Sequence, residues 1–178
     1  MNEHHVRSRW NTAWHAVRSA GGAIATLVAL GGTCCAAFAA ASVMGGPAPA
    51  NQVERGRYLV RTTGCNDCHA PGYIESAGRL EESRWLVGNS LGWQGPWGTT
   101  YPANLRLLTQ GLTADQWLRV ARRQTRPPMP WFALRDMTDA DLLAIYHFTR
   151  SLGPAGTDAP AFVPPGKVAH TPTVKVPG

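Results

Sequence analysis

The chain has 178 residues and a formal net charge of +6, with 44% hydrophobic and only 16% charged residues, 19 Gly and 14 Pro. That length holds one domain of ordinary size with some accessory sequence and excludes a large multidomain enzyme. The Gly and Pro content points to a small domain rich in irregular structure rather than a long-helix bundle, and no run of Lys or Arg marks a nucleic-acid surface.

In chain order, residues 1–50 read as an export segment. Arg7, Arg9 and Arg18 precede an apolar run from Ala20 to Met44, which gives way to Gly45, Gly46 and Pro47. Basic, apolar and small residues in that order form a secretory signal. Ala48 and Ala50 offer a cleavage point before Asn51, and Ala39 with Ala41 another before Ser42. The run over 20–44 is also long enough to span a bilayer, which takes roughly 20 residues, so membrane association through an uncleaved anchor is the alternative. Either way the domain from Asn51 onward is expected in the periplasm, soluble or tethered to the cytoplasmic membrane. Arg7-Ser8-Arg9 is not a twin-arginine pair, which implies export of the unfolded chain. Three Arg and one Glu leave with this segment, so 14 basic and 10 acidic side chains remain, a mild +4.

Asn51 to Thr63 (NQVERGRYLVRTT) predicts a short amphipathic helix, stopped by Gly64 and leading straight into GCNDCHAPG at 64–72. Residues 70–105 are broken by Gly and Pro, with Trp85, Trp93 and Trp97 interleaved, and no internal repeat and no strand is expected anywhere after residue 50. Thr113-Ala-Asp-Gln116 has the form of a capping box and opens a helix to about Arg123. RPPMPW at 126–131 forbids helix around Met129. Thr138 starts a last helix whose apolar residues include Leu142, Leu143, Ile145, Tyr146, Phe148 and Leu152, ended by Gly153-Pro154. Six of the 14 prolines fall after it. The organisation expected is therefore an export segment over 1–50, a domain over 51–153 and a proline-rich tail over 154–178, ordered at most where Phe162 and Val163 lie against the domain.

Cys65 and Cys68 are the only cysteines after residue 50, and His69 follows the second at once. One short loop is not a disulfide framework. Covalent haem attachment needs two thiols for the two vinyl groups and a histidine beside the second thiol to reach iron from one face; C-x-x-C-H meets all three demands. A zinc site needs four ligands, and only His147 and His170 remain, well separated. A redox dithiol wants a preceding strand in a βαβ setting, whereas a helix precedes this pair. For the opposite axial position Met129 is the candidate, its soft thioether held by flanking prolines; an apolar plug is its alternative role. Met137 sits where a hydrophobic staple would before the last helix, and His147, mid-helix, reads as a surface or rim residue. Trp93, Trp97, Tyr101, Trp117 and Trp131 are available to pack on a porphyrin or simply in a core. Donors of Trp97, Tyr101 and Asn104 are candidates to reach its propionates.

These marks resemble a family, the small class I cytochromes c, over nearly all of 51–153: a leading helix with Gly56 and Tyr58, the motif GCNDCH, the loop RPPMPW and the final helix MTDADLLAIYHFTRSLG. GPWGTTYPANL at 95–105 is also similar to a G-x-G-T-x-Y-x-x-N segment in the cytochrome subunits of membrane-bound alcohol and aldehyde dehydrogenases, where it lies against the haem; those subunits carry several haem domains and this chain one motif. The resemblance implies an all-α fold of several short helices with irregular loops around one covalent haem c, ligated by His69 and Met129. It also implies first and last helices crossing closely, with Gly56 and Val60 against Leu143 and Tyr146. The proline that in many members follows the histidine by a dozen residues is replaced here by Glu81. The implied function is one-electron carriage between redox proteins, a dehydrogenase donor and an oxidase or reductase, without catalysis of its own. The alternatives are an electron-transfer subunit of a membrane-bound dehydrogenase and a haem enzyme with an open iron site.

Overall fold

The computed structural model describes residues 48–176. The export segment lies outside them except for its last residues, and among the described residues no helix is long and apolar enough to cross a membrane.

The domain is mostly helical. α1 (Ala50–Thr62) runs into α2 (Cys65–His69), with Gly64 between them in the left-handed region at φ 77°. After a 3-10 turn over Glu82–Arg84 come β1 (Gly92–Gly95) and β2 (Gly98–Thr100), then α3 (Leu105–Gln110), α4 (Ala114–Ala121), α5 (Trp131–Asp136), α6 (Asp139–Ser151) and β3 (Thr173–Lys175). The caps expected from sequence form as read. Thr113 and Gln116 exchange side-chain and backbone hydrogen bonds at the start of α4, and Thr138 Oγ1 accepts from Asp141 N at the start of α6. Each such cap satisfies helix amides that have no partner within the helix, worth about 1 kcal/mol.

The frame is the crossing of α1 and α6. A Cβ placed on Gly56 would stand 2.0 Å from the Ala144 carbonyl oxygen and 2.6 Å from Phe148 Cβ, so only glycine permits this approach. The expected close contact is present, but Gly56 meets Ala144 and Phe148 rather than Leu143 and Tyr146. Because the apolar residues of α6 are spread around the helix rather than gathered in one stripe, periodicity left its inner face ambiguous. Val60, Leu142 and Phe148 are fully buried at or beside the crossing, each stabilising by about 2 kcal/mol. Trp85 packs edge-on to Phe148 and donates Nε1–H to the Leu80 carbonyl at 2.9 Å. Across the same pair of helices Arg55 Nε donates to Asp141 at 2.9 Å.

The fold departs from all-α in a small mixed sheet of order β2-β1-β3. β1 pairs antiparallel with β2 (Trp93 opposite Thr100) and parallel with β3 (Trp93 opposite Val174). These strands span three or four residues, and the hairpin pair is GWQG and GTT. Runs that short and glycine-rich show no alternation to read. The C-terminal segment is also more engaged than expected. It is held by the Asn104 amide on the carbonyls of Ala155 and Thr157, by a Thr99–Val163 backbone pair, by Tyr101 Oη against Thr171 Oγ1 at 2.8 Å, and finally by β3.

Candidate functional site

One largely apolar cavity of about 370 Å³ gathers most of the chemistry-bearing side chains. Cys65, Cys68 and His69 reach it from α2, Met129 from the proline loop, Trp117 from α4 and Met137 from the end of α5. A single turn of helix after Gly64 places both thiols and the imidazole on this wall, because positions three and four apart share a helix face. The cavity therefore brings together two thiols, one imidazole and two thioethers, a soft nitrogen and sulfur donor set.

His69 is the most constrained of them. It is buried, and its Nδ1 lies 2.7 Å from the Ala103 carbonyl oxygen. A carbonyl can only accept, so Nδ1 carries the proton and Nε2 keeps its lone pair. Burial also holds the imidazole pKa below its ordinary 6.5, favouring the neutral form that can coordinate. Ala103 thus does the orienting for which no residue was visible in the sequence. Its own position is fixed on every side. Asn89 N donates to the Pro102 carbonyl, Asn104 Oδ1 caps α3 by accepting from Leu107 N, and Leu105 N donates to Leu86 O at 3.0 Å. Arg106, buried with no carboxylate beside it, donates to Ser83 O and Gly153 O at 2.6 Å each and to Leu152 O.

The two thiols are free and half-buried. Burial pushes both above the usual thiol value; Thr63 opposes this weakly at Cys65, and Asp67 adds to it at Cys68. A redox dithiol works through a thiolate of depressed pKa, the opposite shift. Among the described residues no three His, Cys, Asp or Glu side chains are placed to hold a metal ion by themselves.

Met129 and Met137 both face the cavity, but differently. Met137 packs against the main apolar core, as a staple residue does, whereas Met129 stands outside that core on the proline loop. The loop is tied down on either side: Thr100 Oγ1 donates to Pro127 O at 2.7 Å and Trp131 N to Met129 O at 2.9 Å.

The three polar residues singled out beside the motif fare unequally. Tyr101 lines the cavity with its hydroxyl bound to Thr171. Asn104 is buried with its amide on the tail carbonyls, and it borders a separate surface cleft of about 430 Å³ instead. Trp97 folds over Gly95 in the hairpin turn, away from the cavity wall, and its buried Nε1 has no protein partner. Trp93 and Trp131 line the cavity; His147 does not, and packs on Tyr146 at 5.3 Å. The sequence reading did not single out Ala103, Arg106, Arg123 and Arg126. A backbone carbonyl has no side-chain signature, and isolated arginines look like ordinary surface. Comparison with family models, with curated proteins and with solved structures finds no match to this chain.

Proposed function

We propose that this chain is a monohaem c-type cytochrome of the small class I kind, working outside the cytoplasm as a one-electron carrier between redox proteins rather than as an enzyme. The observation that carries the reading is the convergence on one apolar cavity of Cys65, Cys68, a thioether and a His69 whose Nδ1 is occupied and whose Nε2 is free. The donor set fits a covalently held haem, which Cys65 and Cys68 would tether through their thiols and whose iron His69 and Met129 would hold. When bound, that group supplies reversible one-electron exchange at iron.

The chain's own residues do the rest. The Ala103 carbonyl keeps the imidazole in one tautomer and one orientation. The anchored proline loop presents the Met129 sulfur without a large ordering cost. Trp117, Ile145, Leu108 and their neighbours exclude water, which favours the less charged state of a redox centre. The close α1–α6 crossing at Gly56 agrees with the resemblance as well.

Absorption spectra of the protein made with a haem-attachment system, oxidised and reduced, test this. A covalently bound, low-spin haem is expected, with the weak far-red sulfur-to-iron band lost in Met129→Ala and kept in Met137→Leu. Loss of the band in Met137→Leu alone would reassign the ligand. A high-spin, ligand-binding spectrum of the unmutated protein would replace electron carriage by haem catalysis or sensing.

A further inference from the structure

The cavity wall contains two side chains that carry full charge, Arg123 and Arg126, and both are cationic. Among the described residues neither guanidinium donates a hydrogen bond or joins an ion pair, although several other arginines do. Arg126 is nevertheless held. Its guanidinium carbon lies 3.9 Å from the centroid of the Phe162 ring, and Phe162 precedes Val163, whose N–H and C=O both pair with Thr99. On its other flank Pro127 is fixed by the Thr100 hydroxyl. Stacking occupies the flat face of a guanidinium and leaves the N–H fork at its edge free, the part that matches a carboxylate bidentately. Meanwhile the polar groups expected to serve carboxylates are engaged or placed elsewhere: Tyr101 on Thr171, Asn104 on the tail, Trp97 off the wall.

We infer that Arg126, seated on Phe162, and Arg123 bind the carboxylate groups of the cofactor, and that the C-terminal segment acts through Phe162 as a positioning element for this clamp. The inference rests on the haem reading above. A haem brings an apolar body and two carboxylates, and this wall offers an apolar surface with two cations and no acid. Fixed positive charge beside those carboxylates disfavours the ferric state, so the pair sets the redox potential as well as the seat.

The test measures midpoint potentials of the haem-loaded full chain and of Arg126→Gln, Arg126→Lys, Arg123→Gln, the Arg123→Gln/Arg126→Gln pair and Arg119→Gln, an exposed arginine of α4 away from the cavity. Covalent haem and the low-spin spectrum are checked first in each. Each Gln variant on the wall is expected to favour the ferric state by up to about tenfold, a shift of about 59 mV for one electron. Arg126→Lys keeps most of the parent value and Arg119→Gln all of it. Phe162→Leu, which removes the ring face but not the bulk, falls between parent and Arg126→Gln. A double variant with intact low-spin haem and the parent potential overturns the clamp while leaving the haem reading standing, as does an equal drop in Arg119→Gln. Failure of the unmutated chain to attach haem overturns both.

Discussion

The tail's hold on the cavity hinges on Gly98, and Gly98→Ala perturbs it at a single atom. Gly98 has φ +104°, which costs a non-glycine residue about 1–3 kcal/mol. The added Cβ would also stand 2.3 Å from the Val163 carbonyl oxygen and 3.1 Å from Phe162 Cε2. The nearer contact is backbone, so no rotamer change relieves it; the tail must move. Releasing it locally, at Phe162 and Val163, gives up the two Thr99–Val163 hydrogen bonds, about 1 kcal/mol net each, and the Arg126–Phe162 stack, about 0.5–1 kcal/mol. That sum, about 3 kcal/mol, caps what the clash can cost, because detachment is the cheaper escape. We expect opening of the tail to become easier by about 2 kcal/mol, a roughly 30-fold rise in the open population. A lysine-specific protease reads this at Lys167, four residues beyond Val163, whereas the chain's other lysine, Lys175, is held separately inside β3 and serves as the internal reference. Cleavage at Lys167 that tracks the open population should accelerate by that factor in Gly98→Ala. Gly153→Ala separates strain from contact: φ is +70° there but nothing lies within 4 Å, so it lowers stability without faster tail cleavage. Equal cleavage rates for Gly98→Ala and the parent would refute the reasoning.

Three further outcomes follow from the same geometry. Arg106→Met strands three carbonyls at the end of α6 and the 3-10 turn, and should cost about 3 kcal/mol in urea denaturation, with Arg106→Lys recovering part; a parent-like midpoint would mean water replaces the guanidinium freely. Asn66 is fully buried with neither amide atom hydrogen-bonded, so Asn66→Leu should raise the thermal midpoint by an amount equivalent to about 1–2 kcal/mol, and a fall would show that the amide has a partner in the working protein. Asp141 is held below its ordinary 3.8, first by the hydrogen bond from Arg55 and then by that residue's charge. A depressed carboxyl stabilises above its unfolded value, and that contribution is lost as pH falls through the folded one. Asp141→Asn should therefore be slightly less stable than the parent near neutrality, with the gap closing as pH falls through the lowered value of the folded carboxyl; a gap that persists below that value would put the loss outside the Arg55 ion pair.

What could be read in advance was what is local. The helix starts at Thr113 and Thr138 are side-chain patterns within four residues, and the thiol and imidazole arrangement is five residues of one helix, so spacing alone puts them on one wall. The loop around Met129 was legible because proline dictates backbone whatever its surroundings. What escaped is what depends on partners distant in sequence. β3 pairs with β1 some eighty residues away, and its residues are all exposed, so hydropathy carries no trace of it. The Ala103 carbonyl is invisible for a different reason: any residue there would offer the same oxygen, and only the packing of 85–89 against 102–106 aims it at His69. Arg106 looked like one arginine among many, although its burial among carbonyls sets it apart.

The cavity consequently has two walls with different supports. α2 is braced by α1 and by the Ala103 carbonyl, whose segment is tied to α6 through Arg106; the opposite wall, with Met129, Arg126 and Phe162, hangs on β2 and the C-terminal segment through Thr100 and Thr99. Loosening the helical frame at Gly56 would disturb everything, because α1 and α6 carry both the core and the brace. Loosening the tail at Gly98 touches only the second wall. Under the proposed function the two should therefore separate in one spectrum and one titration. Gly98→Ala keeps haem attachment and the His69 ligand while the potential drops with the displaced Arg126, whereas a variant of the frame loses attachment, ligation and stability together. If Gly98→Ala abolished attachment as well, the two walls would be one cooperative unit, and the tail would belong to the fold's core rather than to its tuning.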